Sequence, residues 1–240
     1  MDILEIYDNY SEIGIHTRHI TDGEEYNMVK RFIDYRKSIF KPLYSRKLAI
    51  FLETKIGDAY PDILFVEFDP NAYENWTMDR NCLIDKDLKL LFYFYKKQSA
   101  TLEQVEQDLS MQRTHILRSF EILTKANVLE GKNGYWYVPN RRSIFGVKKI
   151  EAVEAKVGNW NSVIQQAIIN RTFASESFVL MKRKKAPRTE VIQKVNESGL
   201  GVYLYNSNNF SCVTKAKQNH FPINYHSVFL NEYIGRIISA

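Results

Sequence analysis

The chain has 240 residues, of which 45% are hydrophobic and 25% are charged, a balance that argues against an intrinsically disordered protein. Its two cysteines, Cys82 and Cys212, lie far apart, which excludes a disulfide framework and a cysteine metal site. The net charge of +5 favours an anionic partner such as nucleic acid. No apolar run is long enough to cross a bilayer, and the N-terminus is acidic where a secretory signal would be basic. We therefore expect no membrane partner and a cytoplasmic location.

The first third of the chain predicts one helix followed by two strands. In "TDGEEYNMVKRFIDYRKSIF" the apolar residues Met28, Phe32, Tyr35 and Ile39 recur at helical spacing. The segments "RKLAIFLETKIG" and "YPDILFVEF" are rich in β-branched and aromatic residues, which is typical of strands. This part of the chain is therefore expected to be a helix packed on a sheet.

The segment from Lys86 to Pro139 has a different pattern, which predicts three helices and a hairpin. "DLKLLFYFYKK" is a first helix, and "SATLEQVEQDLS" is a second in which Thr101 and Gln104 match a capping box. "MQRTHILRSFEILTKANVL" is a third helix. "VLEGKNGYWYVP" is a hairpin, because Asn133 and Gly134 accept the positive φ angles of a tight turn.

Three helices and a hairpin in this order resemble a winged helix-turn-helix domain. The resemblance implies that the third helix enters the major groove of DNA and that the hairpin touches the flanking backbone. The outward side of that helix and the hairpin supply the candidate DNA-binding residues, which are Thr114, His115, Arg118, Lys125 and Lys132. A winged domain used for protein contacts, or as a spacer, is the alternative.

The last part of the chain predicts alternating strands and helices. "KKIEAVEAKV", "SFVLMK" and "GVYLYN" are strands, and "NSVIQQAIINRTFA" and "RTEVIQKVNESG" are helices. On the first of these strands Glu154 and Lys156 share one face, and Glu151 is expected on the other. An ion pair is one explanation for Glu154 and Lys156. Burial of charge is costly, however, so a catalytic use is the better interpretation.

"YPDI" with Asp62, together with "EAK" with Glu154 and Lys156, resembles the PD-(D/E)XK nuclease superfamily. In that family an aspartate on one strand and an E-x-K on the next share a metal-dependent site. The predicted order of a helix, three strands, a helix and a strand also matches the family's core. The resemblance implies an α/β fold, with a restriction-endonuclease-like αβββαβ core and mixed sheet that is interrupted by an inserted winged helix. The expected domains are residues 1–84 and 143–240 for the core and 85–142 for the insert.

The resemblance also implies the site residues. Asp62, Glu154 and Lys156 would be catalytic, and the two carboxylates would hold Mg²⁺, or alternatively Mn²⁺. The Ala155 carbonyl and Glu25 on the first helix would be further metal ligands. Gln166, on the helix after the E-x-K strand, would be a further catalytic residue. Asp58 is an alternative to Asp62, and Gln166 can equally be a solvated helix residue.

These patterns predict a metal-dependent endonuclease that hydrolyses DNA and is positioned on duplex by the winged domain. Cleavage of both strands by one metal site would require a homodimer or two successive events. The alternatives are a non-catalytic DNA-binding regulator or scaffold on an inactive nuclease fold, and a protein-interaction module. The basic run from Lys182 to Lys185 is either a solvated face or a phosphate contact. The target sequence, the choice between DNA and RNA, and the role of Lys156 as base or electrostatic stabiliser stay open.

Overall fold

The computed structural model describes residues 2–8, 11, 14–18, 22–42, 46–57, 59–183, 187–206, 209–219 and 224–239. Within them the chain has ten strands and eight α-helices. In chain order these are β1 (Ile3–Ile6), α1 (Glu24–Ile39), β2 (Lys47–Leu52), β3 (Ile63–Phe68), α2 (Met78–Asn81), α3 (Asp85–Lys97), β4 (Ser99–Thr101), α4 (Leu102–Leu109), α5 (Arg113–Lys125), β5 (Glu130–Lys132), β6 (Tyr135–Tyr137), β7 (Val147–Lys156), α6 (Trp160–Asn170), β8 (Glu176–Lys182), α7 (Thr189–Glu197), β9 (Gly201–Asn206), β10 (Asn209–Thr214) and α8 (Tyr225–Ser239). None of the helices in these residues is long and apolar enough to cross a membrane.

The chain forms two compact units, each built from two stretches of sequence. The first unit comprises residues 1–68 and 148–221, and the second comprises residues 69–147 and 222–240. The sequence places the boundaries near residues 84 and 142. In the structure the second unit also takes in the residues just outside that range and the C-terminal helix α8.

The first unit is built on a seven-stranded mixed sheet with the order β1-β2-β3-β7-β8-β9-β10. The pairs β1–β2, β7–β8 and β8–β9 are parallel, whereas β2–β3 and β9–β10 are antiparallel. The mixed α/β class expected from the sequence is therefore confirmed. The two edge strands, β1 and β10, were not predicted.

Helices cover both faces of this sheet. Residues of α1, among them Phe32, pack against alternate residues of β2, β3, β7 and β8, including Leu180. Residues of α6 and α7 pack against the intervening residues of β8 and β9, including Val179. Adjacent residues of a strand thus face different helices, as the two-residue period of a strand requires.

The same alternation separates the two buried glutamates of β7. Glu151 lies on the α1 side, where both of its carboxylate oxygens accept hydrogen bonds from the guanidinium of Arg36. The guanidinium also lies 4.7 Å from the centre of the Phe65 ring. Glu151 is therefore neutralised by a buried ion pair that links α1 to β7.

The second unit contains α3, α4 and α5 together with a three-stranded sheet of order β4-β6-β5. The capping box between Thr101 and Gln104 is present at the start of α4. The β5–β6 hairpin turns through Asn133 and Gly134, whose φ angles are 53° and 80°. The ring of Phe120 on α5 lies 4.3 Å from that of Trp136 on β6, so the hairpin and the third helix share one core.

Helix α8 belongs to this second unit and carries a buried ion pair that was not predicted. The two carboxylate oxygens of Glu232 accept hydrogen bonds of 2.9 and 2.8 Å from Arg80. The guanidinium of Arg80 also donates to the Ile144 carbonyl and lies 4.0 Å from the centre of the Trp76 ring. These contacts satisfy both charges and fix α8 against α2.

Candidate functional site

The candidate site lies at one of the two edges of the large sheet that are formed by the ends of its strands. At this sheet edge β3 begins and β7 ends. Asp62 directly precedes β3, and its Oδ2 accepts a hydrogen bond of 2.6 Å from the backbone N–H of Ala155. The two residues are 93 positions apart in sequence. Because β3 and β7 are neighbours in the sheet, the P-D and E-x-K segments come together, as the sequence predicts.

Glu154 is a buried acid with an unsatisfied oxygen. Its residue is only 3% exposed, and its Oε1 accepts a hydrogen bond of 2.7 Å from Asn170 of α6. Its Oε2 is buried and has no hydrogen-bond partner among the described residues, and the same holds for Oε1 of Gln166. Gln166 and Asn170 are four apart on α6 and therefore lie on the same side of that helix. Unpaired buried oxygens are costly, so these two are candidates to bind a ligand.

Lys156 lies at the end of β7 and pairs with an acid of α1. Its ammonium is 2.8 Å from Oε1 of Glu25, and both side chains are partly exposed. Burial would lower the pKa of Lys156, but the hydrogen bond that its ammonium donates to Glu25 and the charge of Asp62 outweigh this effect and raise the pKa. Glu25, predicted as a metal ligand, thus contacts Lys156, and its charge also acts on Asp62.

Glu53 is a site residue that the sequence does not reveal. It follows β2 and lies across the hairpin from Asp62, because Leu52 pairs with Ile63. The Glu53 N–H donates to the Asp62 carbonyl at 3.1 Å, and the Glu53 backbone has a left-handed φ of 49°. Glu53 comes close to Asp62 through the register of β2 and β3. The register of two strands cannot be predicted from the sequence of one of them.

The negative charge of Asp62 disfavours the ionisation of both Glu53 and Glu154. Burial, followed by the charge of Asp62, raises the pKa of Glu154 to about 8 and that of Glu53 to about 7. Burial also raises the pKa of Asp62, although the Ala155 N–H and the charge of Lys156 act against this rise. A site of this kind either keeps protons at neutral pH or takes up a cation.

The donor set is compatible with a hard divalent cation. Asp62 and Glu154 offer carboxylate oxygens, among them the unpaired Oε2 of Glu154, and the unpaired Oε1 of Gln166 is one further donor of the type Mg²⁺ prefers. As the side chains are placed, the described residues contain no group of three or more acids, histidines or cysteines arranged to hold a metal. Ala155 reaches the site through its N–H, and the use of its carbonyl as a ligand stays a prediction.

The predicted DNA-binding residues all lie in the second unit and are exposed. Thr114, His115 and Arg118 are on α5, and Lys132 is in β5. Lys125 is 2.7 Å from Glu121, one turn earlier on the same helix, so its charge is partly neutralised. Arg118 is thus the predicted basic residue of this helix for which the described residues show no ion pair.

Some residues considered in the sequence lie outside the described part of the chain. They are Asp58, the alternative to Asp62, together with Lys184 and Lys185 of the basic run. The comparison of the chain with protein-family models, curated proteins and solved structures gives no match in any of the three. Its function is therefore inferred from its own residues.

Proposed function

We propose that the first unit is a metal-dependent nuclease of the PD-(D/E)XK type and that the second unit is a winged helix-turn-helix domain that binds duplex DNA. The hydrogen bond between Asp62 and the N–H of Ala155 carries this proposal. It joins the P-D segment to the E-x-K segment at a sheet edge where Oε2 of Glu154 is buried and has no hydrogen-bond partner in the part of the chain that the structure describes.

The order of elements in the first unit supports the nuclease. Helix α1, strands β2, β3 and β7, helix α6 and strand β8 follow one another as a helix, three strands, a helix and a strand. These four strands are also consecutive in the sheet. The chain leaves the first unit after β3 and returns to it at β7. The segment inserted between them therefore connects two strands that are neighbours in the sheet.

The residues of the site have separate roles in hydrolysis. Asp62 and Glu154 would hold Mg²⁺, which when bound supplies positive charge for an anionic phosphodiester and lowers the pKa of a water. The Ala155 N–H fixes the carboxylate of Asp62, and Asn170 fixes that of Glu154. These contacts orient the two carboxylates before the substrate arrives, which is how such sites reduce reorganisation.

Lys156 supplies a second positive charge at the same edge. Its ion pair with Glu25 holds the ammonium beside the carboxylates. A phosphodiester that enters the site would compete with Glu25 for this ammonium, since both are anions. Lys156 is therefore suited to neutralise charge that develops on the phosphate or to orient the attacking water.

The second unit supports the DNA-binding part of the proposal. Helices α3, α4 and α5 and the β4-β6-β5 sheet follow one another as in a winged helix. Helix α5 exposes Arg118, and the hairpin exposes Lys132. An arginine can bind guanine edges bidentately, whereas a lysine on phosphate adds affinity without sequence preference.

A second candidate is a DNA-binding protein on a nuclease fold that does not cut. The observation in its favour is that the described residues, as placed, contain no ready-made group of three metal ligands. In that case the charge of the Glu154 carboxylate would be neutralised by a proton and not by a cation. Its pKa of about 8 is compatible with this state at neutral pH.

Cleavage assays separate the two candidates. The full chain would be incubated with plasmid, linear duplex and single-stranded DNA in Mg²⁺, Mn²⁺ or a chelator. Glu154→Gln is the test variant, and Glu67→Gln is the matched control, because Glu67 is an acid at the opposite end of β3. Metal-dependent cleavage that Glu154→Gln abolishes and Glu67→Gln retains is expected. Duplex binding without cleavage in any metal would favour the non-catalytic protein.

A further inference from the structure

Arg18 is stacked on an aromatic ring next to the carboxylates of the first unit. Its guanidinium carbon lies 4.2 Å from the centre of the Tyr60 ring. Tyr60 is two residues before Asp62, and the Arg18 N–H donates to the Glu53 carbonyl at 3.0 Å. Both members of the stack are thus attached to the hairpin end that carries two of the acids.

The charge of Arg18 is available to a ligand. The side chain is exposed, and the described residues show no ion pair to it. Its charge nevertheless acts on the site, because it opposes the rise in the pKa of Glu53 that burial and Asp62 cause. A guanidinium held against a ring loses less freedom on binding a phosphate than a free one.

A second arginine–aromatic pair, with a longer distance between its members, lies along the same sheet edge. The guanidinium carbon of Arg183 is 6.0 Å from the centre of the Trp160 ring. Arg183 directly follows β8, where Met181 pairs with Lys156, and Trp160 begins α6. Strands β3 and β7, whose ends carry the acids, lie between β2 and β8, whose ends lie next to Arg18 and Arg183; β2 and β8 are three strand spacings, or roughly 14 Å, apart.

Each of the two arginine–aromatic pairs can make both contacts that an unpaired nucleic-acid strand allows. Arginine binds phosphate, and aromatic faces stack on bases, which in a duplex are hidden between their neighbours. Tyr60 and Trp160 are both only partly buried. A nucleic-acid strand that runs along the sheet edge from one arginine–aromatic pair to the other would pass over Asp62 and Glu154.

We propose that Arg18 with Tyr60, and Arg183 with Trp160, are two subsites for a single-stranded or locally unpaired nucleic acid that lies across the carboxylates. The cutting of this strand rests on the proposed nuclease function, but its binding does not.

Binding of a single-stranded 12-nucleotide DNA, measured by fluorescence anisotropy in chelator, tests the subsites without any cleavage. Arg18→Ala should weaken binding about tenfold and reduce the salt slope by about 0.7 for one lost phosphate contact. Tyr60→Leu, which keeps bulk but removes the π face, should weaken binding by a smaller factor. Lys37→Ala is the matched control, since Lys37 is a basic residue in the last turn of α1, whose first turn carries Glu25.

The outcomes distinguish this inference from the nuclease itself. Equal affinity of the parent and Arg18→Ala for the 12-mer would overturn the subsite even if the parent cleaves DNA. An equal loss on a fully paired duplex would overturn the preference for an unpaired strand. A parent that binds the 12-mer through Arg18 but never cuts would remove the nuclease and leave the subsite standing. Unfolding curves for each variant exclude a loss of fold, which is not expected at an exposed side chain.

Discussion

The carboxylate of Asp62 accepts a hydrogen bond of 2.6 Å from the backbone N–H of Ala155. Ala155 is the residue between Glu154 and Lys156, so this one bond fixes the aspartate relative to the whole E-x-K triplet. It also brings like charges together, since Asp62 is a cause of the raised pKa of Glu154. The geometry proposed for catalysis therefore costs stability in the metal-free protein.

The stability of the metal-free protein should fall as the pH rises from about 5 to about 8. The pKa of Glu154 is raised from 4.5 to about 8, chiefly by burial and then by Asp62. The folded state therefore holds more protons than the unfolded state in this window, and stability is lost as the pH passes through the folded pKa. Urea unfolding in chelator at several pH values should show a shallower loss for Glu154→Gln.

Urea unfolding also tests whether the site binds a cation. Addition of Mg²⁺ at pH 8 should raise the unfolding midpoint of the parent, because a ligand of the folded state alone stabilises it. Glu154→Gln should respond less. Identical pH slopes for the two proteins would contradict the burial of an ionisable Glu154 at a cation site.

Glu151→Ala should act on folding and not on chemistry. Glu151 lies on the α1 side of β7 and pairs with Arg36, so its loss leaves a buried cation without a partner. Such a change costs about 3 to 5 kcal/mol of the free energy of unfolding. Urea unfolding measures this loss, and cleavage per folded molecule should change little.

A double variant tests whether the unpaired charge of Arg36 causes the loss of stability in Glu151→Ala. Replacement of both partners, Arg36→Met with Glu151→Leu, removes the unpaired charge and should recover much of the stability. If Glu151→Ala abolished cleavage in a fully folded protein, Glu151 would have to be reassigned to the site.

Two substitutions in the second unit should weaken duplex binding in different ways. Arg118→Ala should reduce affinity and relax any sequence preference, by about 1 to 3 kcal/mol if Arg118 binds a guanine. Lys132→Ala should weaken all sequences evenly and reduce the salt slope by about 0.9. Duplex affinity measured against salt for the parent and both variants decides. Unchanged affinity and slope in both would favour a protein-binding role for this unit.

The elements with strong local signals could be predicted from the sequence. The capping box at Thr101 and the Asn133–Gly134 turn are both present, since each depends on residues only one to three positions apart. The approach of Asp62 to the E-x-K triplet followed from a resemblance, and the structure brings these residues together.

The missed features depend on contacts between distant residues. Strand β1 has only four residues and exists because it pairs with β2, which no local pattern encodes. Glu53 joins the site through the register of β2 and β3, and Asn170 joins it through a hydrogen bond to Glu154, which lies 16 positions earlier in the sequence. The pair of Arg80 and Glu232 links residues 152 positions apart. Such placements follow from tertiary packing, where propensity is overridden.

The rate of DNA cleavage by the Lys156→Ala protein in Mg²⁺, compared with the parent under single-turnover conditions, tests the nuclease most directly. Lys156 is partly exposed at the end of β7, so its removal should leave the fold intact. The loss of one electrostatic stabiliser should reduce the rate by about 10² to 10³. Lys37→Ala, in the last turn of α1, should cleave at the parent's rate. Equal rates for the parent and Lys156→Ala on plasmid, duplex and single-stranded DNA would contradict the proposed catalytic site.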